Sequence, residues 1–177
     1  MFLTEVQQAI ARYLNAHAFF KGDGSQPAIP VFAANDRALI SKAKQSTGML
    51  GICVIVAPLG GDFADTSART PMLVPARFTC RVRENQTMNR GASGTGQPAD
   101  YVAEVIGFLL QHHRPLAADG VTYLGGGGVV LTGISPGEDE PGVTAWDLIW
   151  TYDGGVSTDP VRRDFSTSPL PGSTAAT

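Results

Sequence analysis

Charged residues are scarce in this chain: Asp, Glu, Lys and Arg together make up 16% of its 177 residues. A soluble domain usually carries about a quarter. The formal net charge is −3, and the longest basic run is the pair Arg162-Arg163. Nucleic-acid binding through phosphate neutralisation needs clustered Lys and Arg, so the composition excludes that class of protein.

Long apolar runs are also missing. None reaches the roughly 18 residues of a membrane span. The N-terminal stretch MFLTEVQQAIARYL places acidic and polar residues where a secretory signal would have its apolar core. We therefore expect a soluble protein made in a cytoplasm.

Cysteine is limited to Cys53 and Cys80, each inside an apolar, strand-like run. This setting favours buried free thiols that pack as small hydrophobes, with a disulfide or a catalytic thiol as the alternative. No second Cys or His lies at ligand spacing from either residue, so no metal site is expected.

Glycine and proline, in contrast, are abundant, with 21 and 12 residues. The length suits one domain with a real core. So much loop with so few charges suggests a surface that makes contacts rather than one that simply faces water.

Apolar spacing predicts three helices. Residues 3–20 and 99–113 carry apolar side chains at three- and four-residue steps, and 36–45 could form a short helix. We expect Val105, Ile106, Leu109 and Leu110 to pack on a sheet formed by 52–56 and 78–82. His113 is interpreted as a packed histidine at the edge of the core.

Five segments are predicted to be strands. The run 51–59 is apolar on both faces, which is typical of a central strand. The run 76–84 alternates, and a closing antiparallel meander follows at 121–124, 128–134 and 143–152. The segment 60–75 is long for a turn, so it is either a functional loop or a projecting hairpin. The order of elements predicts an α+β fold with a mainly antiparallel sheet.

One face of the strand 76–84 carries Arg77, Arg81 and Arg83 at every second or fourth position. Such a row is usually a solvated face, but it could also meet another subunit, because Arg is enriched in contacts between proteins.

A loop with Gly91, Gly94 and Gly96 joins that strand to the last helix. The outline resembles a dinucleotide-binding fingerprint. The strand before it alternates instead of being apolar throughout, and the turn is not tight, both of which argue against a parallel βαβ unit. The Gly-Lys-Ser/Thr of a phosphate loop is absent from GTGQP. A small nucleotide-binding enzyme remains only an alternative.

No catalytic group can be assembled from the remaining residues. His17, His112 and His113 fall on predicted helices, and no Gly-x-Ser-x-Gly elbow occurs. The paired acids lie in Gly/Pro loops and are interpreted as solvated. We expect neither an enzyme nor a bound cofactor.

The composition changes at residue 153. The segment 153–177 is rich in Ser, Thr, Pro and Gly, with Val161 and Phe165 as its main apolar residues. Such a segment buries too little to fold alone. We therefore predict a domain at 1–152 and a C-terminal arm at 153–177 that lies on a neighbouring subunit, anchored by Phe165.

The stretch RVREN…NRG…SGTGQPADYVAEVIGFLLQH resembles the tail-terminator and tail-completion proteins in the neck of long-tailed bacteriophages. The resemblance covers residues 3–152. It implies a small α+β fold with an N-terminal helix, a long β-hairpin, a helix across the sheet and closing strands.

The resemblance also implies a virion protein that forms a ring, typically a hexamer, which ends the tail tube and joins it to the head. Its expected partners are copies of itself, the tail tube protein and the head completion proteins, while DNA passes through without specific binding. A tail-tube or tail-tip component is the alternative within the same class. The expected subunit contacts are Arg77, Arg81, Arg83, Asn85, Asn89, Arg90, Gly91, Gly94, Gly96 and Phe165.

The acidic turn GEDEPG contains Glu138, Asp139 and Glu140. Three like charges repel one another and suit a wet, wide space. We expect this turn to face the lumen or rim of the ring, the alternative being an ordinary solvated turn on the outside.

Overall fold

The fold is taken from a computed structural model, which describes residues 3–23, 26–36, 38–63, 72–125, 127–154 and 156–157. The helices are α1 Leu3–Ala16, α2 Ala18–Lys21, α3 Leu39–Met49, α4 Gln86–Asn89 and α5 Ala99–Leu110. The strands are β1 Val31–Ala33, β2 Ile52–Phe63, β3 Met72–Glu84, β4 Val129–Gly137, β5 Thr144–Tyr152 and β6 Val156–Ser157. Within these ranges no helix has both the length and the apolar content to cross a membrane.

The strands form one sheet in the order β1-β2-β3-β5-β4, and β6 pairs with the start of β3. Only β1 and β2 run parallel among the described pairs. The α+β prediction with a mainly antiparallel sheet is therefore confirmed. Strand β1 was not foreseen, because three residues after a proline are too few for a periodicity to show.

The β2–β3 hairpin is long. Its register runs from the pair Ile52↔Glu84 to the pair Phe63↔Leu73. The segment 60–75, predicted as a loop or a projecting hairpin, thus continues both strands, and residues 64–71 lie outside the described part.

Successive side chains of each strand point to opposite faces of the sheet, and one of these faces is buried. Phe78, Cys80 and Val82 are fully buried on one face of β3, with Trp150 stacked on Phe78 at a centroid distance of 4.5 Å. Helices α1 and α5 cover this face, α1 over β1 and β2, and α5 over β3, β4 and β5. The sequence placed α5 over 52–56 as well, but α1 occupies that position.

Several predicted boundaries shift. The helix predicted at 3–20 is interrupted at His17, whose Nδ1 accepts a hydrogen bond from the Phe19 amide and so begins α2. The helix at 36–45 becomes 39–49, and the one at 99–113 ends at Leu110. Segment 121–124 forms no strand and contributes a single bridge, Leu116↔Tyr123.

The first residues of the predicted arm contact their own chain. The Asp153 carboxylate accepts a hydrogen bond from the Gly128 amide at 2.7 Å, and β6 pairs with Met72 and Leu73. The rest of the arm, including Phe165, lies outside the described residues.

Candidate subunit interface

The loop from Asn85 to Pro98 is built around one buried side chain. Asn85 begins α4, with its side-chain oxygen accepting from the Met88 amide at 3.2 Å. Asn89, at the end of that turn, is 1% exposed. Its Nδ2 donates to Glu84 Oε1 at 2.7 Å and to the Gln97 carbonyl at 2.8 Å, and its Oδ1 accepts from Thr95 Oγ1 at 2.7 Å.

Glu84 links this loop to α5. The residue is 3% exposed, and its Oε2 accepts a hydrogen bond from the Ala99 amide at 2.9 Å. Ala99 is the first residue of α5, where amide groups have no partner inside the helix and a negative charge is stabilised. The buried carboxylate therefore closes the N-terminus of α5 from within the chain.

This arrangement bears on whether the glycine loop binds the phosphate of a nucleotide. A phosphate bound by a glycine loop uses the free amides at a helix N-terminus. Here the Glu84 carboxylate lies at that end of α5 and already accepts from Ala99. The geometry thus argues against the nucleotide-binding alternative.

Two of the three glycines have a conformational reason. A Cβ on Gly94 would collide with the carbonyl oxygen of Asn89, and Gly96 has φ +69°. The close approach and the positive φ therefore serve the loop's own packing around Asn89. Arg90 and Gly91 are exposed, as are the neighbouring Ala92 and Ser93, so the outer ridge of the loop is the part that another subunit could touch.

The arginine row lies on the sheet face opposite α1 and α5. Arg81 donates from Nε and a terminal nitrogen to both carboxylate oxygens of Asp147, at 2.8 and 2.7 Å. Arg83 does the same to Asp139, at 2.5 and 2.6 Å. Arg77 is exposed further along the strand.

The acidic turn is not uniformly solvated. The Asp139 side chain is only 8% exposed, against 59% for Glu140. Burial is the largest single influence and opposes ionisation of Asp139. The hydrogen bonds from Arg83 and from the Glu140 amide, together with the positive charges of Arg83 and Arg81, outweigh it and hold the pKa of Asp139 below the usual value. The interpretation of three free, mutually repelling charges is therefore wrong for Asp139, while Glu138 and Glu140 remain exposed.

Helix α3 covers only part of the arginine-bearing face. Ala43 and Thr47 are buried at the end of the sheet where Cys53 and Arg83 lie. The remainder of that face forms an open groove of about 470 Å³, here called the sheet groove, lined by Ala34, Leu39, Ile55, Ala57, Leu59, Thr79, Arg81, Asp147 and Ile149.

The far side of the molecule carries a second exposed surface, here called the outer face of α5, on which two aromatic side chains lie beside two carboxylates. Asp100, Tyr101, Glu104 and Phe108 lie on the side of α5 turned away from the sheet, and all are exposed. Phe108 is 85% exposed, the largest value among the large hydrophobic side chains of the described residues.

Both cysteines are buried free thiols, as predicted. His113 is half-buried at the edge of the core, but its Nε2 has no hydrogen-bond partner among the described residues. Burial raises the pKa of Cys53 to about 11 and that of Cys80 to about 12, so neither thiol is activated. His113 stacks on Tyr13 with a centroid distance of 3.7 Å, and burial lowers its pKa. In the part of the chain that the structure describes, no cluster of His, Cys, Asp and Glu could hold a metal ion.

No protein-family model matches this chain. No curated protein matches it either. One solved structure with a similar fold is described as "Virion of native gene transfer agent (GTA) particle"; the two share 17% sequence identity and a TM-score of 0.48, over 89% of this chain and 99% of that one. A likeness of this size does not identify a function.

Proposed function

We propose that this chain is a structural protein of a phage-like virion, and that it forms a ring that ends the tail tube and joins it to the head. The ring covers the growing face of the last tube ring, which stops polymerisation, and docks on the head completion proteins. DNA passes through its lumen without specific binding. The chain acts by contact alone, with no catalytic step.

The observation that carries the proposal is that two surfaces with exposed apolar side chains lie on opposite sides of one sheet. The sheet groove lies on one side and the outer face of α5 on the other. Exposed apolar patches mark contact sites. Two different patches facing opposite ways allow head-to-tail association, which closes into a ring or continues as a filament.

The place in the virion comes from the sequence resemblance around the β3–loop–α5 unit. That unit is internally fixed by Glu84 and Asn89, so its exposed ridge is presented rigidly. Of the candidate contact residues, Arg77, Arg90, Gly91 and Gly96 are exposed. Arg83 and Asn89 are buried and, with Glu84, hold that surface in place.

In this proposal, residues 158–177 form an arm that binds the neighbouring subunit, with Phe165 as its anchor. Removing residues 158–177 and keeping β6 should weaken assembly while leaving the thermal midpoint of the monomer nearly unchanged. Assembly of the shortened chain at the same concentration as the full chain would contradict this part.

Native mass spectrometry and sedimentation of the full chain test the central claim. A closed ring, a hexamer by the resemblance, is the expected species. Tube protein polymerised with this ring should give tubes that stop growing, measured as a length distribution by electron microscopy. An open polymer would instead identify a tail-tube or tail-tip component, and a monomer at every concentration would overturn the proposal.

A further inference from the structure

The sheet groove has the lining of a binding surface. Its lining is mostly apolar, and Leu59 at its edge is 54% exposed. The hydroxyl oxygen of Thr79 is buried in the sheet and has no hydrogen-bond partner among the described residues. Exposed apolar lining of this kind marks a contact site.

The outer face of α5 has complementary features. Phe108 projects from it with 85% of its surface exposed. The same face carries the carboxylates Asp100 and Glu104 and has no Lys or Arg within Ala99–Leu110. On the groove side, the Arg81 side chain stays 39% exposed although it is paired with Asp147. Arg81 and Asp147 together leave the groove without net charge, but Asp147 uses only Nε and one terminal nitrogen of Arg81. The second terminal nitrogen can therefore donate to an acid of α5 and orient the contact.

We propose that the outer face of α5 in one copy docks into the sheet groove of the next copy, with Phe108 as the side chain that fills it. A copy cannot fill its own groove, because its α5 lies on the other side of its own sheet. A Phe108 side chain in this groove therefore belongs to a second copy of this chain, which is the occupant we assign. This inference rests on the proposed function and names the contact that closes the ring.

A central aromatic side chain in an otherwise flat contact is expected to dominate its affinity. Phe108→Asp should therefore raise the concentration needed for assembly by about 100-fold. Val121→Asp is the matched control: Val121 is 79% exposed but lies on neither surface, so this variant should assemble like the wild type. Both variants should keep the far-UV circular dichroism of the wild type.

Cysteine trapping tests the pairing itself, even where association is weak. One batch carries Phe108→Cys and another Leu59→Cys, and the two are mixed under mild oxidation. The native Cys53 and Cys80 are fully buried and do not compete. A disulfide-linked heterodimer of the two variants is expected, at a yield well above that of Val121→Cys mixed with Leu59→Cys.

The outcomes separate this inference from the proposed function. If the wild type forms a ring while the Phe108→Cys and Leu59→Cys variants give no disulfide-linked heterodimer, this result would overturn the inference but not the ring. A ring that still forms in Phe108→Asp would do the same. The heterodimer without a closed ring would support the contact and overturn the ring. Preferential linkage of the Phe108→Cys variant to a second copy of itself would overturn the inference in favour of a face-to-face dimer.

Discussion

Asn89→Ala is the sharpest test of how the β3–α5 loop is held. The substitution removes three hydrogen bonds, made to Glu84, Gln97 and Thr95 at 2.7 to 2.8 Å. It leaves the carboxylate of Glu84 with the Ala99 amide as its remaining partner. The loop then keeps its glycines but loses the side chain around which it folds.

The cost follows from burial. Glu84 is 3% exposed and Thr95 is 6% exposed, so water does not readily replace the lost partner. Each buried group left without a partner costs about 1 to 3 kcal/mol. With some relief from water on the Gln97 side, Asn89→Ala should lower the free energy of unfolding by about 3 to 5 kcal/mol. That is a large part of the roughly 5 to 15 kcal/mol that stabilises a domain.

Asn85→Ala is the matched control. It removes a neighbouring asparagine that makes one capping hydrogen bond, to the Met88 amide, and should cost about 0.5 to 2 kcal/mol. Urea unfolding of both variants, measured at a protein concentration at which sedimentation shows a monomer so that assembly does not contribute, gives the difference. Equal losses in the two variants would refute the central role of Asn89.

Three further outcomes are expected. Leu110→Ala should lower the free energy of unfolding by about 2 to 5 kcal/mol, measured in urea, because the side chain is fully buried; a loss under about 0.5 kcal/mol would contradict the packing of α5. Burial acts to raise the pKa of Asp139, but the hydrogen bonds from Arg83 and the Glu140 amide, together with the charges of Arg83 and Arg81, hold it below the usual value. The stability that Asp139 adds is therefore present above about pH 4 and is lost as the pH falls through that lowered pKa. Asp139→Asn should remove this acid dependence from unfolding curves. If the acidic turn lines the lumen, Glu138→Lys with Glu140→Lys should leave the ring intact and make it retain DNA at low salt; unchanged retention would place the turn outside.

The elements that the sequence predicted well are those that repeat a spacing over several residues. Helix α5 and strands β3 and β5 each bury one periodic face, and the inward series Leu148, Trp150 and Tyr152 is fully buried. Boundaries were less predictable because they depend on single contacts. His17 ends one helix and caps the next through one hydrogen bond, which leaves no trace in the apolar pattern.

The two Arg–Asp ion pairs could not be predicted from the sequence, for a different reason. Alternation places Arg81 and Asp147 on the outward faces of their strands, but their pairing depends on the register of β3 against β5, where the two residues are directly opposite. Arg83 meets Asp139 only because the turn after β4 folds back over the same face. Sixty-six and 56 residues separate the members of these pairs along the chain, so no local pattern reports them.

One residue of the sequence distinguishes between the two interpretations of the glycine loop, a phosphate site and a contact surface. Glycines between a strand and a helix fit both, since both need close approach of the backbone. The deciding residue is Glu84, which continues the inward series of Phe78, Cys80 and Val82 by one more step. An acid at an inward position is costly to bury unless it has donors, and the nearest unpaired donors are the amides that begin the next helix. The inward position of this one carboxylate thus predicts that the chain itself supplies the anion at the N-terminus of α5, as the hydrogen bond from the Ala99 amide to Glu84 shows.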